Sequence, residues 1–371
     1  MEENRGEYQA LARKYRPQAF EDVVGQKPVI AALSNTIDLG KVHHAYLLTG
    51  TRGVGKTTIA RIIAKCLECE EGMSSHPCGK CQSCIEIARG TYPDVIEIDG
   101  ASQTKVEDTR QLLENTRYPP IRGRYKIYII DEVHMLTASS FNALLKTLEE
   151  PPSYVKFILA TTDPQKIPTT VLSRCVRFQL TALTRDEIAG QIKSIAGREG
   201  IPCESEAAAL IAQAARGSMR DALSLCDQAV ALGGGSLRRD SVLSMLGTAG
   251  DELTQQLLDL ITTPNSDLGA FLDRVRSIAP NYKALLDSMV GTFHDLCLFQ
   301  FTGQRHMNLF QTPLAILEKY ARIMQPRDLQ LYYQICLEGV DELSSSADPA
   351  SVFDMAVLRL LAFTPEKKKN G

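Results

Sequence analysis

From residue 45 onward the chain alternates short, evenly apolar runs with stretches in which apolar positions return every three or four residues. The runs AYLLTG (45–50), DVIEID (94–99), KIYIID (126–131), VKFILATT (155–162) and CVRFQL (175–180) predict strands. Between them, TTIARIIAKCL (57–67) and SFNALLKTLEE (140–150) predict amphipathic helices, the second halted by Pro151 and Pro152. Strands joined by helical crossovers build a parallel sheet, so the expected core is α/β with five doubly wound strands.

The strand signal fades after residue 180. Residues 184–232 are rich in Ala, Ile and Leu at helical spacing and end at Gly233, Gly234 and Gly235, which predicts a small helical lid. From about 243 the pattern stays helical. In VFDMAVLRLLAF (352–363) it places Val352, Phe353, Ala356, Val357, Leu360 and Leu361 largely on one face. The expected partition is therefore an α/β domain at 1–180, a lid at 181–242 and an all-α domain at 243–371. No fixed-period repeat interrupts it, and the one charge run, Lys367 to Lys369, sits at the C-terminus.

A chain of 371 residues has room for two or three such cores. At 44% hydrophobic and 23% charged it has the composition of an ordinary globular protein. The net charge of −3 is split, with 23 Lys/Arg against 21 Asp/Glu in residues 1–180. That margin is too small for nucleic-acid binding by bulk charge, so any such contact must come from local patches. No run is long enough for a signal peptide or a membrane span, which leads to the expectation of a cytoplasmic protein without a membrane partner. Four of the ten cysteines, Cys69, Cys78, Cys81 and Cys84, fall within sixteen positions, and in a reducing compartment that clustering favours a metal over disulfides.

The segment GTRGVGKT (50–57) joins a predicted strand to a predicted helix and fits the pattern G-x-x-x-x-G-K-[ST]. Its backbone, Gly50, Thr51, Arg52, Gly53, Val54 and Gly55, would turn N–H groups onto phosphate oxygens at the positive end of the helix. Lys56 would place its charge on the β and γ phosphates of ATP, and the Thr57 hydroxyl would be a magnesium ligand. KIYIIDEVHML (126–136) ends its strand in Asp131 and Glu132, and the carboxyl ends of parallel strands gather around such a loop. Asp131 would hold the magnesium water shell and Glu132 would orient the attacking water. The Cys69-x8-Cys78-x2-Cys81-x2-Cys84 set, with a Pro-Cys-Gly turn at 77–79, offers four sulfurs suited to tetrahedral zinc, with no position left for water. An iron–sulfur cluster, or His76 in place of one cysteine, are the variants of that reading. Cys66 and Cys175 read as buried thiols.

Taken in order, VVGQ (23–26), GTRGVGKT, DEVHML (131–136), LLKTLEEPP (144–152), ATTDPQKIP (160–168), LSRC (172–175), GSMRDALSLCDQA (217–229) and LQLYYQ (329–334) resemble AAA+ ATPases. More narrowly they resemble bacterial clamp-loader subunits of the gamma/tau kind, the likeness running over nearly the whole chain. The cysteine insertion at 66–90 together with an intact phosphate loop distinguishes that kind from delta-prime. The resemblance implies a P-loop AAA+ core with a zinc module, a lid and a helical collar. It implies Thr162 as sensor 1, Arg174 as an arginine finger acting in trans on a neighbour's ATP, and Arg220 as sensor 2. It also implies that ARKYRP (12–17) and VVGQ, with Arg16 and Val24, cradle the adenine, and that the cysteine metal is zinc.

The implied partners are further gamma/tau copies, delta and delta-prime, the β sliding clamp and primer–template DNA at the replisome of the nucleoid. Thr104, Lys105 and Arg110 of GASQTKVEDTR (100–110) are the implied phosphate contacts to DNA, while Gln103 departs from the arginine common in relatives. Two alternatives stand beside this: a scaffold subunit that does not hydrolyse ATP, and a branch-migration helicase motor, whose C-terminal domain would be a winged helix containing strands.

Overall fold

The computed structural model describes residues 9–100, 115–246, 249–263, 267–278, 281–304, 312–345 and 348–363. Two compact units divide the chain, Met1–Ala231 and Leu232–Gly371.

In the first unit five parallel strands, β1 (Ala45–Thr49), β2 (Val95–Asp99), β3 (Lys126–Asp131), β4 (Val155–Thr161) and β5 (Val176–Gln179), form one sheet in the order β2-β3-β4-β1-β5. All five fall within the runs expected from the sequence. β1 and β4 are buried along their whole length because side chains of alternate residues enter two different cores. Tyr46, Leu48, Ile127, Ile129 and Ile158 join Ile59, Ile63 and Leu67 of helix Lys56–Glu68 on one face. Ala45, Leu47, Tyr128, Phe157 and Leu159 join Phe141, Leu144 and Leu148 of helix Ala138–Glu149 on the other. The edge strands β2 and β5 are mostly half-buried or exposed.

Helices Arg185–Glu199, Ser205–Ala214 and Met219–Leu232 follow the sheet. The first starts with a capping box, in which Thr184 accepts from the Glu187 N–H and the Glu187 carboxylate accepts from the Thr184 N–H at 2.8 Å. These helices share the sheet's compact unit. The Gln26 side chain ties the connection: its Nε2 donates to the Thr181 carbonyl at 2.7 Å and its Oε1 accepts from the Thr181 N–H at 3.1 Å. The division at 231 coincides with neither of the borders expected at 180 and 242.

Two carboxylates hold the turn that enters β3. Asp94 is fully buried and accepts the backbone N–H groups of Ile121, Arg122 and Gly123 at 2.6, 2.7 and 2.8 Å. Glu68 accepts those of Arg124 and Tyr125, both at 2.8 Å. Replacing Asp94 by alanine would leave three backbone donors of this partly buried turn without their acceptor, each costing about 1 kcal/mol. Asp94→Ala is expected to lower unfolding stability by about 3 kcal/mol, read by urea denaturation. A loss under about 1 kcal/mol would show that the turn does not depend on this carboxylate.

In the second unit every regular element among the described residues is a helix. Helix Tyr282–Thr302 supplies the centre, with Leu286, Met289, Phe293 and Leu296 packed against Leu329, Tyr332 and Cys336 of helix Pro326–Ser345. Of the face expected for the last helix, Pro349–Ala362, Phe353, Ala356, Val357 and Leu360 are fully buried and Leu361 packs beside them.

Candidate functional site

Helix Lys56–Glu68 begins where β1 ends, and the glycines between are needed for three different reasons. Gly50 (φ +151°) lies against the Leu180 carbonyl, 2.7 Å from where a Cβ would stand. Gly53 (φ +78°) faces Ser218 at the start of helix Met219–Leu232, where a Cβ would come within 1.9 Å of the Ser218 Oγ. Gly55 (φ +103°) has open space beside it. The left-handed φ values at Gly53 and Gly55 exclude side chains on backbone grounds as well.

Within that turn the Lys56 ammonium is buried and donates to the Gly50 and Thr51 carbonyls at 2.9 and 3.0 Å. Burial pulls its pKa down, while Glu132 and Asp131 oppose the fall. The Thr57 hydroxyl donates to Asp131 Oδ2 at 2.5 Å, joining the first turn of the helix to the end of β3. Glu132 follows in left-handed backbone (φ 45°), a conformation costly for a residue with a side chain. Its carboxylate accepts from the Thr162 N–H at 3.0 Å and the Thr162 hydroxyl at 2.8 Å. His134 Nδ1 stands 3.3 Å from the same carboxylate and 2.9 Å from Thr161 Oγ1.

These groups open onto a cavity of about 500 Å³. Arg52, Gly53, Val54, Gly55, Lys56, Thr57, Asp131 and Glu132 line it together with Arg16, Val24 and Arg220. Gly50 and Thr51 stay behind the wall and contribute the carbonyls that hold Lys56. Arg16 is pulled down in pKa by burial first and then by the neighbouring Arg61. The size fits a nucleotide, and a glycine cradle with one buried ammonium is chemistry for polyphosphate. A hydroxyl beside a carboxylate is the hard-oxygen pair that suits magnesium.

Tyr15, which belongs to the ARKYRP segment expected at the adenine, also lines the cavity, as do Asp99, Gln191 and Leu223, which carry no local signal in the sequence. Gln26, grouped by resemblance with the adenine cradle, makes the clamp on Thr181 described above and is not among the residues lining the cavity.

Arg174 is elsewhere. It lies with Glu149, Ser173 and Cys175 in a separate surface cleft and does not line the Lys56 cavity. Thr104, Lys105, Arg110 and the departing Gln103 fall outside the described residues.

The sulfur atoms of Cys69, Cys78, Cys81 and Cys84 lie within 4.8 Å of one another. Tetrahedral zinc with bonds of about 2.3 Å needs sulfurs about 3.8 Å apart, so a small contraction suffices. The N–H groups of Cys78, Cys81 and Cys84 point at the sulfurs of Cys69, Cys78 and Cys81, at 3.3–3.4 Å. Such donors favour thiolate at Cys78, where the Lys80 N–H leads those that bring it down to about 7, whereas burial pushes the Cys69 and Cys84 thiols up. His76 turns away to pair with Glu21 and is not part of the set. Cys66 is buried, and burial pushes its thiol up; Cys175, expected to be buried, is only partly so in its surface cleft, and the desolvation there raises it to about 11.

Consecutive parts of the chain match the models of three protein families. Residues 25–184 match one described as "DNA polymerase III, delta subunit". Residues 187–235 match "DNA polymerase III clamp loader subunit, ATPase lid domain" and 237–370 match "DNA polymerase III subunits gamma and tau domain III". The DNA polymerase III subunit tau of Escherichia coli (strain K12) is 50% identical over 96% of this chain, which spans only 56% of that longer protein. The gamma subunit of Buchnera aphidicola subsp. Baizongia pistaciae is 42% identical over 95% of this chain and 96% of its own. Among solved structures, the Thermotoga maritima RuvB Holliday junction branch migration motor covers 71% of this chain and 85% of its own, at 22% identity and a TM-score of 0.48.

Proposed function

This chain belongs to the gamma and tau family of DNA polymerase III subunits, and from that premise we propose that it is an ATP-hydrolysing AAA+ motor subunit of a clamp loader. ATP binding would open the β sliding clamp, and DNA-stimulated hydrolysis would release it on primed DNA. The observation that carries this reading is the bond between Thr57 and Asp131 at the mouth of a cavity that Arg220 also lines. It brings the phosphate loop, the acidic strand end and the lid to one substrate-sized space.

In that space the loop N–H groups and Lys56 bind and orient the polyphosphate, and Arg220 adds a cation from the lid. Magnesium, held by the Thr57 hydroxyl and through water by Asp131, would supply neutralising charge on the phosphate oxygens. Glu132 orients water for in-line attack and accepts its proton, and Thr162 fixes the Glu132 carboxylate from the end of β4. Arg174 acts on the ATP of an adjoining subunit, since it lies apart from the Lys56 cavity of its own chain.

The partners proposed are other copies of this chain, delta, delta-prime, the β clamp and primer–template DNA, working in the cytoplasm at the replisome. The lid is proposed at 181–242 and the collar, which would hold subunits together, at 243–371. Its helical character favours the clamp loader over a helicase motor ending in a winged helix.

The direct test is ATP turnover by the reconstituted assembly with and without clamp and primed DNA. Strong stimulation is expected, and a rate indifferent to both would remove the clamp-loader reading. Glu132→Gln should keep nucleotide binding within a few-fold and lower stimulated turnover about a hundredfold, as for loss of a general base. A non-hydrolysing scaffold would show no change. Zinc is proposed as the ion of the four cysteines in a structural role. Elemental analysis of protein prepared without chelators should give one zinc per chain, and Cys81→Ser should lower both zinc content and thermal stability. Metal-free protein of unchanged stability would dispose of the site.

A further inference from the structure

Arg174 is already engaged within its own chain. Its Nη2 donates to the Glu149 carboxylate at 2.7 Å, and its Nη1 donates to the Thr170 carbonyl at 2.8 Å and the Ser173 hydroxyl at 3.3 Å. The guanidinium is one-third exposed and the carboxylate half exposed, so the pair lies at the rim of its cleft within reach of an incoming molecule. A carboxylate offers the guanidinium the same oxygen geometry that a phosphoryl group offers.

Taking Arg174 as the trans-acting finger proposed above, we infer that Glu149 is a positioning residue that parks the finger: its carboxylate stands in for the neighbour's phosphate and must be given up before Arg174 can engage it. A polyphosphate carries more charge than one carboxylate, so the exchange runs forward when the neighbour holds ATP in the right place. An exposed pair of this kind is weak, which keeps the exchange easily reversible. The parked state therefore lowers turnover in assemblies not yet aligned on clamp and DNA and has little effect once alignment is complete.

Glu149 is suited to being tested by substitution. It closes helix Ala138–Glu149 just before Pro151 and Pro152, and removing a negative charge from a helix C-terminus does not disfavour the helix.

The experiment measures ATP turnover by the full reconstituted assembly carrying wild type, Glu149→Gln, Arg174→Ala or both changes, each with and without clamp and primed DNA. Glu149→Gln is expected to raise the unstimulated rate about two- to fivefold, the range a half-exposed ion pair commands, and to leave the stimulated rate within twofold. The double variant should be no faster than Arg174→Ala alone, because Glu149 acts only through that side chain. An unchanged or lower unstimulated rate in Glu149→Gln overturns the parking role, as does a rise that persists without Arg174. If Arg174→Ala itself leaves stimulated turnover intact, the finger assignment fails, and that result is distinct from failure of parking alone.

Discussion

Arg174→Ala is expected to lower stimulated ATP turnover in the assembled complex by about a thousandfold or more, while each chain still binds nucleotide normally. The size follows from what an arginine placed in trans contributes to phosphoryl transfer, about 10³–10⁵ in rate. The sparing of binding follows from position, because Arg174 does not line the cavity of Lys56. Mixing provides the sharper measurement. A chain carrying Arg174→Ala keeps a sound phosphate loop, and a chain carrying Lys56→Ala keeps a sound finger. Assemblies made from both should recover part of the activity that neither has alone. If mixing restores nothing, or if Arg174→Ala weakens nucleotide binding in its own chain, the finger does not act across subunits.

Lys56→Ala should be equally severe but different in kind, because binding and turnover both fall. The ammonium is buried between two loop carbonyls, and deleting it leaves those acceptors facing a polyphosphate with no cation between them. Loss of a charge-assisted contact to the ground state costs about 1.5–3 kcal/mol. Loss of the same charge where phosphate oxygens gain negative character costs about a further 10²–10³ in rate. Titration with a fluorescent nucleotide and turnover in the assembly should report the two losses separately. A variant that binds ATP normally and turns over at the wild-type stimulated rate would dismiss the cavity as the catalytic site.

The parts of this molecule that could be read from the chain are those whose physics is local. Five strands were visible because each is a short apolar run bounded by polar or turn-forming residues, and the phosphate loop because its glycines sit between a strand and a helix. The four cysteines were visible because their spacing alone closes a loop around one point. Contacts between distant residues were not visible. Gln26 and Thr181 are 155 positions apart, and nothing near either announces a side chain imitating a strand partner. That clamp ties the end of the sheet to the start of the segment that follows it.

The cavity residues Asp99, Gln191 and Leu223 were invisible for the same reason, since a wall assembled from three elements has no periodicity of its own. The Glu149 pairing lay in plain sight in LLKTLEEPP and LSRC, yet neither segment identifies the other as its partner. His76 lies close enough in the sequence to substitute for a cysteine, but its imidazole pairs with Glu21, a partner 55 positions away that its surroundings in the chain do not announce.

Gly53 turns the loop backbone toward the proposed phosphate site, and its bare Cα also faces Ser218, just ahead of the lid helix Met219–Leu232. Ser218 caps that helix, accepting the Asp221 N–H at 3.2 Å, and its hydroxyl occupies the spot where a methyl group on Gly53 would be. The gauge between loop and lid is therefore set by one absent carbon. An added methyl at 53 would act as a shim, propping the two surfaces apart however well the loop itself could hold phosphate. Position 53 thus answers to the clearance toward that helix as well as to the left-handed backbone of the loop, and glycine is the residue that satisfies both.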